Sequence, residues 1–282
     1  MYLIDTHSHL YENDFDEDRV DVINRFKKNN VIKVLLPNID EESLPKMLEL
    51  EASDPDVFRS MVGLHPTSVK ENYHEVLEML CESAKKHPYC GVGEIGLDFY
   101  WDKTFAAEQV VALKEQIGWA IDWDFPIALH VRKAMPETIE TLKCFEKKCL
   151  RGVFHSFSGS IESAREIARL GDFYYGINGV VTFKNAGIAE VVKELPLDRI
   201  VLETDCPYLT PVPFRGKRNE SGYVLHVAEK IAEVKGISLE EVAEQTTQNA
   251  KTLFRLYMYN KWEIGDNLPF VSNITPLYPF HF

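Results

Sequence analysis

Cysteine pairing is the first thing this chain lacks. Its 282 residues hold five cysteines, Cys81, Cys90, Cys144, Cys149 and Cys206, an odd set without a C-x-x-C pair and a poor framework for disulfides or a zinc ribbon. A reducing, cytoplasmic setting is the simplest expectation. Long apolar runs are lacking too. No segment approaches the roughly 18 residues of a membrane span. The chain opens on Met1-Tyr2-Leu3-Ile4-Asp5, not on a basic start followed by about 7–15 apolar residues. Neither a membrane nor a stable protein partner is expected. Positive charge is also scarce: 31 Lys and Arg face 44 Asp and Glu, for a formal net charge of −13. Such a field repels a polyanion unless basic residues or bound cations gather locally.

What the chain has in quantity is alternation. Hydrophobic residues make up 45% of it, enough for a sizeable core. Apolar runs bounded by turn signals fall at 2–6, 31–37, 58–64, 90–97, 126–131, 152–155, 173–176 and 200–203, and read as eight strands. Between them, stripes such as Leu44/Met47/Leu48, Leu77/Leu80/Ala84, Ile117/Ala120/Ile121 and Ile188/Val191/Val192 have helical spacing. Two more helical stretches follow at 223–235 and 239–259, the second opened by Ser238 and Glu241 in capping-box positions. Strand and helix alternate without a linker-like stretch before residue 255. This predicts an α/β protein built as a single (β/α)8 TIM barrel over residues 1–260, with an open doubly wound sheet as the alternative. Residues 261–282 form a Pro- and aromatic-rich tail with no assigned role.

In such a barrel the functional residues sit where strands end. His7 and His9 end the first strand, His65 the third, His130 the fifth, His155 the sixth and Asp205 the eighth, while Glu94 lies late in the fourth with Asp98 beyond it. Five of the nine histidines share this placement. His7-x-His9 puts two imidazoles on one face of a strand, the spacing for a shared ion and equally for two hydrogen-bonded core histidines. Glu94, between Gly93 and Gly96, is too costly to bury unpaired, so it reads as a ligand able to bridge two ions or as half of a structural ion pair. Asp205 closes on the first strand in this geometry, and Glu203 and Asp5 read as supports. Cys206 is expected to point away. Ser156, Ser158 and Gly159 offer hydroxyls and N–H groups for an anion. The loop 210–221, "TPVPFRGKRNES", brings Arg215, Lys217 and Arg218, a solvated basic loop or a phosphate clamp, to which Arg132, Lys133 and Lys184 can add.

Taken in order, "DTHSHL", "GLHP", "GEIGLDFY", "LHVRK", "HSFSGS" and "ETDCPYLTPVPFRGKRNE" resemble the TatD-like metal-dependent hydrolases, described as deoxyribonucleases, within the amidohydrolase-like barrels. The resemblance covers about residues 1–256. It implies two divalent cations at the C-terminal mouth, one held by His7, His9, Glu94 and Asp205 and the other by Glu94, His130 and His155. His65 matches a position that approaches substrate phosphate. Ser221 stands where the family usually has proline, which predicts a looser turn.

The expected activity is metal-assisted hydrolysis of phosphodiesters in single-stranded or damaged DNA, from a 3′ end or at a lesion. Asp205 orients the attacking water and takes its proton, and Glu94 fixes the cation spacing. Zinc, manganese and magnesium all suit such ligands. The alternative is hydrolysis of a carboxylic ester or amide, such as an aminoacyl ester on transfer RNA or a small cyclic amide.

Overall fold

The computed structural model describes residues 1–256. The expected tail, 261–282, and the last residues of the expected 239–259 helix lie outside the described residues. Eight strands alternate with nine helices within them: β1 (Leu3–Asp5), α1 (Arg19–Lys28), β2 (Val31–Pro37), α2 (Ser43–Ser53), β3 (Phe58–Met61), α3 (Tyr73–Ala84), β4 (Val92–Asp98), α4 (Ala106–Asp122), β5 (Ile127–Arg132), α5 (Met135–Lys143), β6 (Arg151–Phe154), α6 (Ile161–Ile167), β7 (Asp172–Ile177), α7 (Ile188–Glu194), β8 (Ile200–Leu202), α8 (Val224–Lys235) and α9 (Leu239–Phe254).

Every strand pairing is parallel, in ladders β1-β2-β3 and β4-β5-β6-β7-β8. Two seams join the ladders into a ring. Gly93 donates its N–H to the Val62 carbonyl (2.9 Å) at one. Asp205 donates to the His7 carbonyl and His9 to the Cys206 carbonyl, both at 2.9 Å, at the other. This closed eight-stranded barrel is the expected fold, and its closure excludes the open sheet.

The strands read as apolar runs because both of their faces are covered. Outside, the helices bury stripes such as Leu113 and Ile117 of α4 against them. Inside, Ile4, Leu35, Met61, Cys90, Ala128, Val153, Tyr174 and Val201, one residue from each strand or its edge, form a separate apolar cluster with Ala250, Leu253 and Phe254 of α9. The last helix thus seals the N-terminal end of the barrel. Ser238 caps α9 as expected, its hydroxyl accepting the Glu241 N–H at 3.1 Å. The helix α1 is absent from the sequence reading. Only Val22 and Phe26 of its ten residues are buried, a single i, i+4 pair in a polar segment, and too little periodicity to recognise.

Candidate metal centre

β1 ends at Asp5, and the chain continues alongside the extension of β8, so His7 and His9 enter the barrel just past the strand. Asp5 accepts the Thr204 N–H (2.9 Å) and hydroxyl (2.6 Å), which ties the two chain segments together behind the histidines. It is a support, as expected from the sequence. Cys206 also points away, its sulfur 3.0 Å from the Ser8 hydroxyl. Ser221 joins that cluster, donating to Ser8 Oγ at 3.1 Å. Where a looser turn is expected, the buried hydroxyl instead pins the β8–α8 loop to the end of β1.

Glu94 sits at the centre. Its two oxygens face different histidines: Oε2 lies 3.0 Å from His7 Nε2 and 3.6 Å from His9 Nε2, and Oε1 lies 2.9 Å from His130 Nδ1 and 3.5 Å from His65 Nε2. Across from it, Asp205 Oδ1 stands 3.5 Å from His9 Nε2 and 3.6 Å from His155 Nε2. The barrel therefore gathers His7, His9, His65, Glu94, His130, His155 and Asp205, contributed by or just after six strands. His155 is stacked on His7 at 3.4 Å between ring centroids and leans to Asp205, while His65 lies nearer than it to Glu94 and His130. Glycine makes the approach feasible: at Gly96, with φ of 146°, a β-carbon would fall 1.9 Å from the His130 carbonyl oxygen.

Hydrogen bonds fix which nitrogen each ring presents. Tyr11 donates its only hydroxyl proton to the Pro37 carbonyl (2.6 Å), so His9 Nδ1, 2.8 Å away, must donate to Tyr11 and leave Nε2 bare toward the site. His65 is the reverse. The Thr67 N–H donates to its Nδ1 at 3.1 Å, which puts the ring proton on Nε2, facing Glu94. For His155 the partner is a charge instead: Nδ1 lies 3.0 Å from Glu203 Oε2 without hydrogen-bond geometry, and Nε2 faces inward, 3.6 Å from Asp205 Oδ1. Glu203 is wholly buried, in space left by Gly176, whose β-carbon would sit 2.2 Å from Oε2.

The charges follow from this packing. Burial opposes ionisation of Glu94 and Asp205, yet the surrounding histidines outweigh it and hold both carboxyls well below their usual range. Burial likewise opposes the charge on His130, but hydrogen bonds to Asp98 and Glu94 push its pKa up to about 9. His7 and His65 are pushed down, chiefly by burial.

The donor set fits divalent cations. Ligands sharing one ion at bonds of about 2.1 Å stand about 3.4 Å apart at tetrahedral angles. The His9–Asp205, His9–Glu94 and His155–Asp205 separations of 3.5, 3.6 and 3.6 Å are close to that edge and longer than well-formed hydrogen bonds. His7 is only half satisfied by the protein: its Nε2 lies 3.0 Å from Glu94 Oε2, while its buried Nδ1 has no hydrogen-bond partner.

Other expectations land elsewhere. Ser156 spends its N–H on Glu203 (2.6 Å), and its hydroxyl accepts from Asn178 (2.8 Å), which leaves the hydroxyl proton as its one donor for an anion. Arg218 pairs with Asp18 at 2.7 Å and lies over Phe15, which commits its guanidinium to the segment before α1 rather than to a clamp. Arg215 lies over Phe183 and Arg132 over Tyr100 and Trp101, both at 4.2 Å to the nearer ring centroid, and Lys217 stands 5.8 Å from the Phe214 centroid. Sequence reasoning passed over Tyr11, which fixes the His9 ring, and left Asp98 unused beside His130. Their spacing, two residues after His9 and four after Glu94, was the available signal.

A (β/α)8 barrel with imidazoles and carboxylates gathered at the C-terminal mouth is the architecture of metal-dependent hydrolases. The chain belongs to the TatD family: the model for TatD related DNase matches residues 4–255. An uncharacterized metal-dependent hydrolase of Bacillus subtilis, YabD, is 40% identical over 255 residues, covering 90% of this chain and 99% of the relative. The 3'-5' ssDNA/RNA exonuclease TatD of Pantoea vagans is 30% identical over 260 residues, 90% of this chain and all of that one. Among solved structures, the TatD homolog YjjV from Escherichia coli superimposes with a TM-score of 0.84 at 29% identity, over 90% of this chain and 98% of that one. No helix among the described residues is long and apolar enough to cross a membrane.

Proposed function

We propose that this hydrolase cleaves phosphodiester bonds in single-stranded or damaged DNA, from a 3′ end or at a lesion, using two divalent cations. The observation that carries this reading is the division of Glu94, one oxygen toward His7 and His9 and the other toward His130 and His65. His7, His9, Glu94 and Asp205 would hold one cation; Glu94, His130 and His155 would hold the other. Bound there, the cations supply charge neutralisation at the phosphate and a more acidic water.

The protein's own groups do the rest. Asp205, kept ionised by the neighbouring imidazoles, orients the attacking water and accepts its proton. His65 presents an N–H where a non-bridging phosphate oxygen would lie, the part of a donor and not of a ligand. Arg132 ends β5, and Arg215 and Lys217 lie on the loop after β8, so these cations stand at the C-terminal end of the strands on an otherwise acidic body. The Pantoea relative, a 3'-5' ssDNA/RNA exonuclease, supports a single-stranded nucleic acid as the substrate class.

The test restores zinc, manganese or magnesium singly to metal-stripped protein and offers single-stranded DNA, an aminoacyl ester and a small cyclic amide. DNA cleavage is expected, lost together with bound metal in His155→Ala. In Asp205→Asn turnover should fall by about a hundredfold or more. Full metal content and nuclease activity in both variants would refute the site assignment; cleavage of the ester or amide with no cleavage of DNA would refute the substrate.

A further inference from the structure

Few large apolar side chains of the described residues are exposed, and three of the aromatic ones stand on loops at the mouth: Tyr100 and Trp101 after β4, at 52% and 67% exposure, and Tyr208 after β8 at 57%. An exposed tryptophan beside an exposed tyrosine loses water-excluded packing for nothing unless something covers it. Tyr100 and Trp101 meet edge to face at 5.0 Å between centroids. The Arg132 guanidinium reaches both, at 4.2 and 5.0 Å from the ring centroids.

The pair is wired to the candidate metal centre by one carboxylate. Asp98 Oδ1 accepts the N–H groups of Tyr100 (2.9 Å) and Trp101 (3.2 Å), while Oδ2 lies 2.9 Å from His130 Nε2. The same buried group that orients His130 therefore sets the height of the aromatic loop. Beside Trp101 opens a cleft of about 140 Å³, walled by Pro66, Thr67, Lys70 and Phe105. It begins next to His65, whose imidazole faces Glu94.

We infer that Tyr100, Trp101 and the adjoining cleft form a platform for an unpaired nucleobase of the strand being cut, with Arg132 and Lys70 flanking its backbone. This rests on the proposed phosphodiesterase reading. Chemistry selects the occupant. A base offers a π-face to the indole, its own phosphate leads to the His65–Glu94 cluster, and the cations beside the rings suit a polyanion better than a protein surface would. A base inside a duplex has no free face, so the platform demands a single strand, a frayed end or an extruded base.

The test uses Trp101→Ala, Tyr100→Ala and Trp101→Phe against a single-stranded oligonucleotide and its counterpart with abasic residues at the last two 3′ positions. Loss of one stacked base should raise KM on the intact strand about tenfold in Trp101→Ala, with kcat and metal content near the parent's. Trp101→Phe should recover most of it. The abasic strand should bind the parent as weakly as Trp101→Ala binds the intact strand, and the two losses should not add. If the parent cuts both strands with one KM, or both alanine variants match the parent, the platform alone is refuted and the pair faces another partner. A parent that cuts no strand removes the phosphodiesterase reading and the platform together.

Discussion

The two ends of the barrel are built by the same strands, and they are opposites in chemistry: the floor residues are all buried, whereas His65, His130 and Asp205 at the mouth keep 13, 17 and 15% exposure. In β5, Ala128 belongs to the closed apolar end and His130, two residues on, to the mouth; Val153 and His155 after β6 repeat the pattern, as do Val201 and Glu203 after β8. Side chains two apart in a strand share a face, so each of these three strands carries an apolar residue into the sealed floor and a polar one into the site above it. The floor is sealed by apolar packing, where α9 seats Leu253 and Phe254 against the ring. Reactivity is concentrated at the mouth, where carboxylates and imidazoles are held together at a cost that burial imposes.

The contrast is broken most forcefully by changing each end separately. Phe254→Ala should cost about 3–5 kcal/mol of unfolding free energy, seen in denaturant melts, while the folded fraction keeps its metal stoichiometry. Glu94→Gln should do the reverse, losing bound metal and at least about a hundredfold in turnover without a comparable loss of fold. Metal loss from a folded Phe254→Ala protein would mean that the two ends are not independent. A smaller effect is expected one layer behind the site. Glu203→Gln leaves the inward-facing His155 atom in place but removes the charge beneath it, and metal affinity measured by competition with a chelator should fall about 10- to 100-fold.

The gentlest probe is pH. In the metal-free protein the His130 pKa is raised from 6.5 to about 9. The folded state then holds the proton more tightly than the unfolded chain, so its contribution to stability is complete below about pH 6.5 and lost as pH rises through about 9. Thermal melts of metal-free protein should decline over that window, and His130→Gln should flatten the decline. Melting that stays level in the parent would show that His130 is not the ion-pair partner of Asp98 and Glu94.

Much of this was legible because a strand's end has a sequence signature. Runs such as "IALH" and "GVFH" announce both the strand and the residue it delivers, and eight of them with helices between leave few arrangements other than a barrel. The ring tautomers were not legible. They depend on Tyr11 reaching Pro37 and on the Thr67 N–H reaching His65, contacts set by tertiary packing. Arg218 illustrates the same limit: in the sequence it is one of three cations in a loop, and only folding brings Asp18, 200 residues away, against it. Helix α1 escaped because a helix covered on one narrow stripe writes only two letters of pattern.

The seam between β1 and β8 has a consequence in time. His7 and Asp205 are joined by a backbone hydrogen bond, and Ser8 meets Cys206 across 198 positions, so the first and last residues of the metal centre come from the two ends of a very long loop. Contacts of such separation pay loop-closure entropy before they are rewarded, and they need the far end of the chain to be present. A chain still emerging from synthesis, or one arrested partway through folding, holds the histidines without the aspartate. The hydrolytic centre is in this sense a certificate of completed folding, and an immature copy has no competent site.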